Sequence, residues 1–132
     1  MKNLQTLSAI IEAGAGLALL GVPSATAWLL LGMPLDSPAA VGLVRVGGAG
    51  VLALAIVCWL ARRDPQSLES RGLVAAMLFY NIAVVGVLAF ASFGDGLHGA
   101  LLWPAVVFHV AMGAWCIVSL LRQYERALRE QV

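Results

Sequence analysis

The stretch "VGLVRVGGAGVLAL" (residues 41–54) holds one arginine, Arg45, in a run made otherwise of glycine, alanine, valine and leucine. A helix that crosses a lipid bilayer needs roughly 20 mainly apolar residues, and this run lies within such a segment. Arginine stays protonated in proteins, and a charge at the bilayer centre costs about 2.5–3.5 kcal/mol on insertion scales. The stretch therefore predicts a membrane helix in which Arg45 needs a partner.

The composition of the whole chain favours a membrane protein. Of the 132 residues, 61% are hydrophobic and only 11% are charged, whereas a soluble domain carries about 25% charged residues. So few charged residues indicate that lipid is the main solvent and that the bilayer is the first partner. The net charge of +1 gives no reason to expect a nucleic-acid partner.

Four apolar runs, separated by segments rich in turn-forming residues, predict an all-α integral membrane four-helix bundle. We expect residues 1–132 to form one domain. The predicted spans cover approximately residues 4–22, 38–61, 72–93 and 100–121.

Two further segments adjoin these spans. Residues 23–32 begin with Pro23 and predict either a kink in the first span or a short helix lying in the membrane interface. Residues 122–132 alternate in charge at helical spacing, which predicts a helical tail that extends the fourth span into the cytoplasm.

The basic residues predict the orientation, because cytoplasmic loops of membrane proteins are enriched in lysine and arginine. Seven of the eight basic residues fall on one predicted side of the membrane: Lys2, Arg62, Arg63, Arg71, Arg122, Arg126 and Arg129. The two loops on the other side, around Asp36 and Asp95, contain neither lysine nor arginine. We therefore expect both termini in the cytoplasm.

Each predicted span carries one strongly polar residue near its middle. With a rise of about 1.5 Å per residue, two of them lie close to the midplane, one lies nearer the inner side and one nearer the outer side. Intramembrane ionisable residues commonly form ligand or ion sites. The four candidates for a ligand- or ion-binding site, or a buried polar network, are Glu12, Arg45, Asn81 and His109.

Glu12 is the one acidic residue inside a predicted span, and its depth differs from that of Arg45 by about 8 Å. We therefore predict a Glu12–Arg45 pair between the first two spans, with Asn81 or His109 as further hydrogen-bond partners. Buried ionic groups sometimes serve only helix packing. The sequence leaves both a functional and a structural interpretation of the pair open.

These features favour a protein that binds or moves a small molecule or an ion, with a link to protons. The alternative is a structural or assembly subunit of a membrane complex, in which small-residue helix faces support a homo-oligomer or contact a partner protein. A lipid is a further candidate ligand. Cys58 and Cys116 lie apart in apolar runs, and no ligand spacing predicts a metal or cofactor, so an enzyme is the least favoured class.

The chain's length, its four spans and the arginine in "VRVGGAG" (residues 44–50) resemble small bacterial four-span membrane proteins of the DoxX-like kind. That resemblance implies the same fold and a place in the bacterial inner (plasma) membrane, but no single activity. Glu12 in the first span is also similar to the membrane glutamate of small multidrug resistance transporters, which substrate and proton share there. This second resemblance rests on Glu12 alone and implies transport.

Overall fold

The protein folds into five α-helices in a computed structural model that describes residues 1–129. The helices are α1 (Lys2–Gly21), α2 (Pro23–Leu31), α3 (Pro38–Ala61), α4 (Leu68–Phe93) and α5 (Leu102–Arg129). Four of them, α1, α3, α4 and α5, are long and apolar enough to cross a membrane. The predicted all-α, four-helix membrane fold is therefore confirmed. The predicted tail is helical as far as Arg129, and residues 130–132 lie outside the described part.

Serine side chains start two of the membrane helices. Ser37 accepts a hydrogen bond of 3.2 Å from the backbone N–H of Ala40, and Pro38 occupies the first position of α3. Ser67 accepts one of 3.1 Å from the N–H of Ser70. Such caps satisfy backbone N–H groups that a helix start leaves free. The Ser67 cap lets α4 begin at Leu68, before the apolar run that starts near residue 72.

The first span is interrupted, as the sequence predicted. Val22 leaves the helical conformation, with φ −132° and ψ 55°, and Pro23 has no N–H with which to continue the hydrogen bonding of α1. The hydroxyl of Thr26 lies 3.2 Å from the carbonyl oxygen of Ala18 and 3.0 Å from that of Val22. A short second helix, α2, therefore starts immediately after the break.

Helix α2 packs against the beginning of α5. Gly32 ends α2 in the left-handed conformation, with φ 82°, which favours glycine. The N–H of Leu101 donates to the carbonyl oxygen of Leu29 at 2.8 Å. A Cβ at Gly99 would collide with the backbone of Leu30. We call this end of the bundle the α2 end, and the opposite end, where Met1, Pro65 and Arg122 lie together, the basic end.

Helices α1 and α3 cross in contact at two glycines. A Cβ at Gly16 would lie 2.9 Å from the carbonyl oxygen of Gly48 and 2.8 Å from the amide nitrogen of Leu52. A Cβ at Gly48 would lie 3.0 Å from the carbonyl oxygen of Gly16. Membrane helices use small residues where their backbones approach closely, so this Gly16–Gly48 crossing fixes how α1 and α3 are aligned.

Large apolar side chains cover the outside of the bundle. Leu43 is 74% exposed, Phe79 is 74% exposed and Phe93 is 79% exposed. A soluble protein rarely exposes so much contiguous apolar surface, but hydrocarbon is the natural solvent for it. The exposed faces of the four long helices therefore suit contact with lipid.

Replacing Gly16 with alanine should destabilise the protein by about 1–3 kcal/mol, the usual cost of overpacking. Gly14 is the matched control, because no atom of a neighbouring element lies within 4 Å of a Cβ built there. Gly14→Ala should leave stability unchanged or raise it through helix propensity. Circular dichroism of unfolding in mixed micelles measures both variants. An equal loss of stability in the two variants would contradict the Gly16–Gly48 crossing.

Candidate functional site

Glu12 lies on the buried face of α1 and is 4% exposed. Its Oε2 accepts a hydrogen bond of 3.2 Å from the phenol hydroxyl of Tyr80 on α4. Within residues 1–129 no lysine or arginine forms an ion pair with Glu12. The carboxyl group is therefore held inside the membrane by a neutral hydrogen-bond donor.

Asn81 and His109 form the second polar pair. The side-chain amide of Asn81, which is 1% exposed, donates from Nδ2 to the carbonyl oxygen of Met77 at 2.7 Å. That bond leaves Oδ1 of Asn81 facing Nδ1 of His109, 2.8 Å away. Since an amide oxygen only accepts, Nδ1 of His109 carries the hydrogen, and Nε2 of the neutral ring is an acceptor.

Tyr80 connects the two pairs. Its ring meets the ring of His109 edge to face, with centroids 5.7 Å apart and planes at 79°. Tyr80 and Asn81 are consecutive residues of α4, so one turn of this helix holds a hydrogen-bond partner from α1 and another from α5. We call Glu12, Tyr80, Asn81 and His109 the mid-membrane polar site.

Three of the four sequence-predicted residues thus come together, and the structure adds Tyr80. Sequence reasoning missed Tyr80 because tyrosine counts as an ordinary residue of apolar spans. A signal was nevertheless present, since membrane tyrosines concentrate at the interfaces and Tyr80 lies deep within the third span. Its position next to Asn81 is a second signal.

Arg45 does not belong to this site, and the predicted Glu12–Arg45 pair is wrong. Arg45 is exposed on α3 and donates from Nε to the carbonyl oxygen of Leu20 at 3.2 Å. The Gly16–Gly48 crossing explains the difference, because Gly48 lies beside Leu20 and Gly16. Arg45 is therefore near the end of α1, about 12 Å along the axis from Glu12.

Arg45 instead caps the interrupted first helix. Leu20 lies in the last turn of α1, where backbone carbonyl groups lack intrahelical partners, and a cation near a helix C-terminus is favoured by the helix dipole. The guanidinium of the neighbouring helix supplies both a hydrogen-bond donor and the positive charge. The break before Pro23 thus explains why this apolar stretch contains an arginine.

A cleft between α4 and α5 gives access to the polar pair. Its volume is about 310 Å³. Asn81 and His109 are its two strongly polar lining residues, and the rest of the lining is Leu78, Ile82, Val85, Val110, Gly113, Ala114 and Ile117. A cleft of about 340 Å³ between α1 and α3 is lined by apolar residues and does not include the polar site. Of these two clefts, the α4–α5 cleft therefore reaches the Asn81–His109 half of the site, and its lining does not include Glu12 or Tyr80.

Metal chemistry has no candidate ligand set in the described residues. Within residues 1–129, no group of three or more His, Cys, Asp and Glu side chains could hold a metal ion. The chemistry that the site offers is hydrogen bonding and proton exchange by one carboxyl, one phenol, one amide and one imidazole group.

Comparison with known proteins finds no protein family, no curated protein and no solved structure that matches the chain. The resemblances to DoxX-like proteins and to small multidrug resistance transporters therefore stay predictions.

Glu12→Gln and Arg45→Leu should change stability independently. Interaction energies between groups more than about 7–10 Å apart are usually within about 0.5 kcal/mol. We expect the unfolding free energy of the double variant, measured in mixed micelles, to equal the sum of the two single effects. A double variant that is more stable than either single variant would instead support the predicted Glu12–Arg45 ion pair.

His109 should carry its proton on Nδ1 when the ring is neutral. Solid-state NMR of nitrogen-labelled protein in bilayers at alkaline pH distinguishes a protonated Nδ1 from a bare Nε2. The exposed His98 provides a control in the same spectrum, with mixed tautomers expected. Asn81→Leu should remove the preference of His109 for a protonated Nδ1. An unchanged nitrogen signal of His109 in this variant would contradict the Asn81–His109 hydrogen bond.

Proposed function

We propose that the protein binds a small molecule or cation at the mid-membrane polar site and links this binding to a proton on Glu12. The observation that carries the proposal is the buried carboxyl group of Glu12, whose partner is the neutral hydroxyl of Tyr80. An isolated ionised carboxylate is very costly in a medium of low dielectric constant. Glu12 therefore requires a neutralising proton or a bound cation, and the exchange of one for the other is the basis of proton-linked binding.

The second half of the site favours a ligand with one hydrogen-bond donor on an apolar body. Nε2 of neutral His109 is an acceptor, because Nδ1 donates to Asn81. The cleft beside it is otherwise apolar, and binding sites commonly combine an apolar lining with a few polar groups that orient the ligand. A hydroxyl or amine group on a lipid-soluble molecule satisfies both features.

The setting of this activity is part of the same proposal. The concentration of basic residues at one end of the bundle supports a cytoplasmic location for both termini. The bacterial inner membrane follows from the resemblance to DoxX-like proteins, and association of several copies through the exposed apolar helix faces is consistent with this setting.

A structural role is the second candidate, and Arg45 is the observation that favours it. Its Nε bonds the end of α1, so this intramembrane charge serves the architecture of the chain. A structural or assembly subunit requires the other polar groups to do the same. The two functions differ in whether Glu12 exchanges its proton.

Glu12→Gln should abolish coupled proton release while leaving the fold intact. The probe is octylguanidinium, a lipid-soluble cation with N–H donors that stays protonated, added to the purified protein in weakly buffered micelles with a pH-sensitive dye. The wild-type protein should release a proton on binding the probe, because the cation replaces the proton of Glu12.

Glu69→Gln is the matched control, since Glu69 lies exposed in the first turn of α4. This variant should release protons as the wild type does. A wild-type protein that neither binds the probe nor releases protons, with Glu12→Gln altering stability only, would support the structural role instead.

A further inference from the structure

The buried face of α1 continues as a line of polar side chains from Glu12 toward the basic end. Ser8 and Gln5 follow at spacings of four and three residues, which places all three on one face of the helix. Gln5 is 0% exposed and Ser8 is 1% exposed. Among residues 1–129, Oε1 of Gln5 and the hydroxyl of Ser8 have no hydrogen-bond partner.

Such unpaired buried atoms require an explanation, since nearly all buried polar groups in proteins are hydrogen-bonded. Buried water molecules commonly satisfy groups of this kind. Ser8 lies one helical turn, or about 6 Å along the helix axis, from Glu12 on the side of the basic end. The two unpaired oxygens are therefore candidate water-binding groups on the same face of α1 as Glu12.

The line of polar groups reaches the surface at the basic end. Nε2 of Gln5 donates to the hydroxyl oxygen of Ser70 at 3.0 Å. That hydroxyl in turn lies 2.8 Å from the carbonyl oxygen of Asp64 and 3.0 Å from that of Ala61. Asp64 is an exposed residue between α3 and α4. Hydrogen-bonded polar groups thus extend from this loop to Gln5, and Ser8 is the next polar residue on the same face of α1.

On α1, the line of buried polar side chains does not continue from Glu12 toward the α2 end. The next residue on the same face of α1 is Gly16, which is packed against the backbone of α3. Farther toward the α2 end, Leu88, Leu102 and Val106 form an apolar cluster with Leu31 packed against it. The polar groups therefore lead away from Glu12 on one side only.

The other ionisable groups around Glu12 do not form a second line of polar groups toward the basic end. Tyr80 of α4 bonds Glu12 directly, and His109 of α5 lies behind the ring of Tyr80. Cys58 of α3 is buried in the same apolar cluster as Ala9 and Met77. Arg45 is bonded to Leu20. None of these four groups connects Glu12 to the basic end.

We propose that Gln5 and Ser8 hold a short file of water molecules through which Glu12 exchanges protons with the basic end of the bundle. A hydronium ion at this end gives a proton to the file, and the water beside Ser8 passes one to the carboxylate of Glu12. Each water regains the proton that it passes on, so the net change is one proton on Glu12. Ser8 and Gln5 position the waters and are chemically unchanged. This inference rests on the proposed function and assigns the side from which its proton comes.

Hydrogen–deuterium exchange of the Glu12 carboxyl group tests the route. The probe is D2O mixed rapidly with the protein in lipid at acidic pH, and the readout is the shift of the carboxyl C=O infrared band that Glu12→Gln removes. Ser8→Ala and Gln5→Leu should each slow this shift by about tenfold or more, which corresponds to an added barrier of about 1.4 kcal/mol. Two different variants guard against a folding defect in one of them.

Ser92→Ala is the matched control. Ser92 is 4% exposed on α4 near the α2 end, so the same substitution at similar burial lies on the opposite side of Glu12. It should leave the exchange rate unchanged. If Ser8→Ala and Gln5→Leu exchange as fast as the wild type, the route is wrong while the proposed function stands. If the wild-type Glu12 band never exchanges, both the route and the proposed function fail.

Discussion

The backbone contact between Gly16 and Gly48 is the constraint on which the rest of the structure depends. Because a side chain at either position would meet the backbone of the other helix, α1 and α3 lock at one register along their axes. That register brings Arg45 beside the end of α1 and keeps it away from Glu12. It also leaves Glu12 free to meet α4, so the composition of the mid-membrane polar site follows from a contact that contains no polar side chain.

The break in the first span and the positive charge of Arg45 on α3 each supply the hydrogen-bond partner that the other needs. In hydrocarbon no water satisfies free backbone carbonyls, so an interrupted membrane helix needs partners from the protein. An arginine in the same hydrocarbon needs an acceptor. The bond from Arg45 to Leu20 meets both needs, and the interruption lets α2 depart from the axis of α1 to reach the start of α5.

The sequence predicts the fold well because a bilayer imposes local requirements. Twenty apolar residues, a proline after Val22 and serines before α3 and α4 are visible without knowledge of the partner helices. The Glu12–Arg45 pair failed because it assumed a register, and register depends on which residues of two helices touch. Tyr80 was missed for a related reason, since its role appears only when α1 lies opposite α4. Asn81 and His109 lie at similar depths on sequence-adjacent spans, but the sequence offered them only as further partners of the Glu12–Arg45 pair, and their contact with each other was not predicted.

Helix α4 is the element that makes one site of two polar pairs. Consecutive helical residues point about 100° apart, so Tyr80 and Asn81 face two different neighbours from the same turn. Protonation of Glu12 converts an acceptor-only carboxylate into a group that also donates. This changes the hydrogen bond that Glu12 can form with the hydroxyl of Tyr80. The ring of Tyr80 rests against His109, and the imidazole orientation is set by Asn81. The carboxyl group of Glu12 and the ring of His109 therefore contact the same side chain of α4, Tyr80, and this shared contact is the structural basis of the proposed link between a proton on Glu12 and a ligand in the α4–α5 cleft.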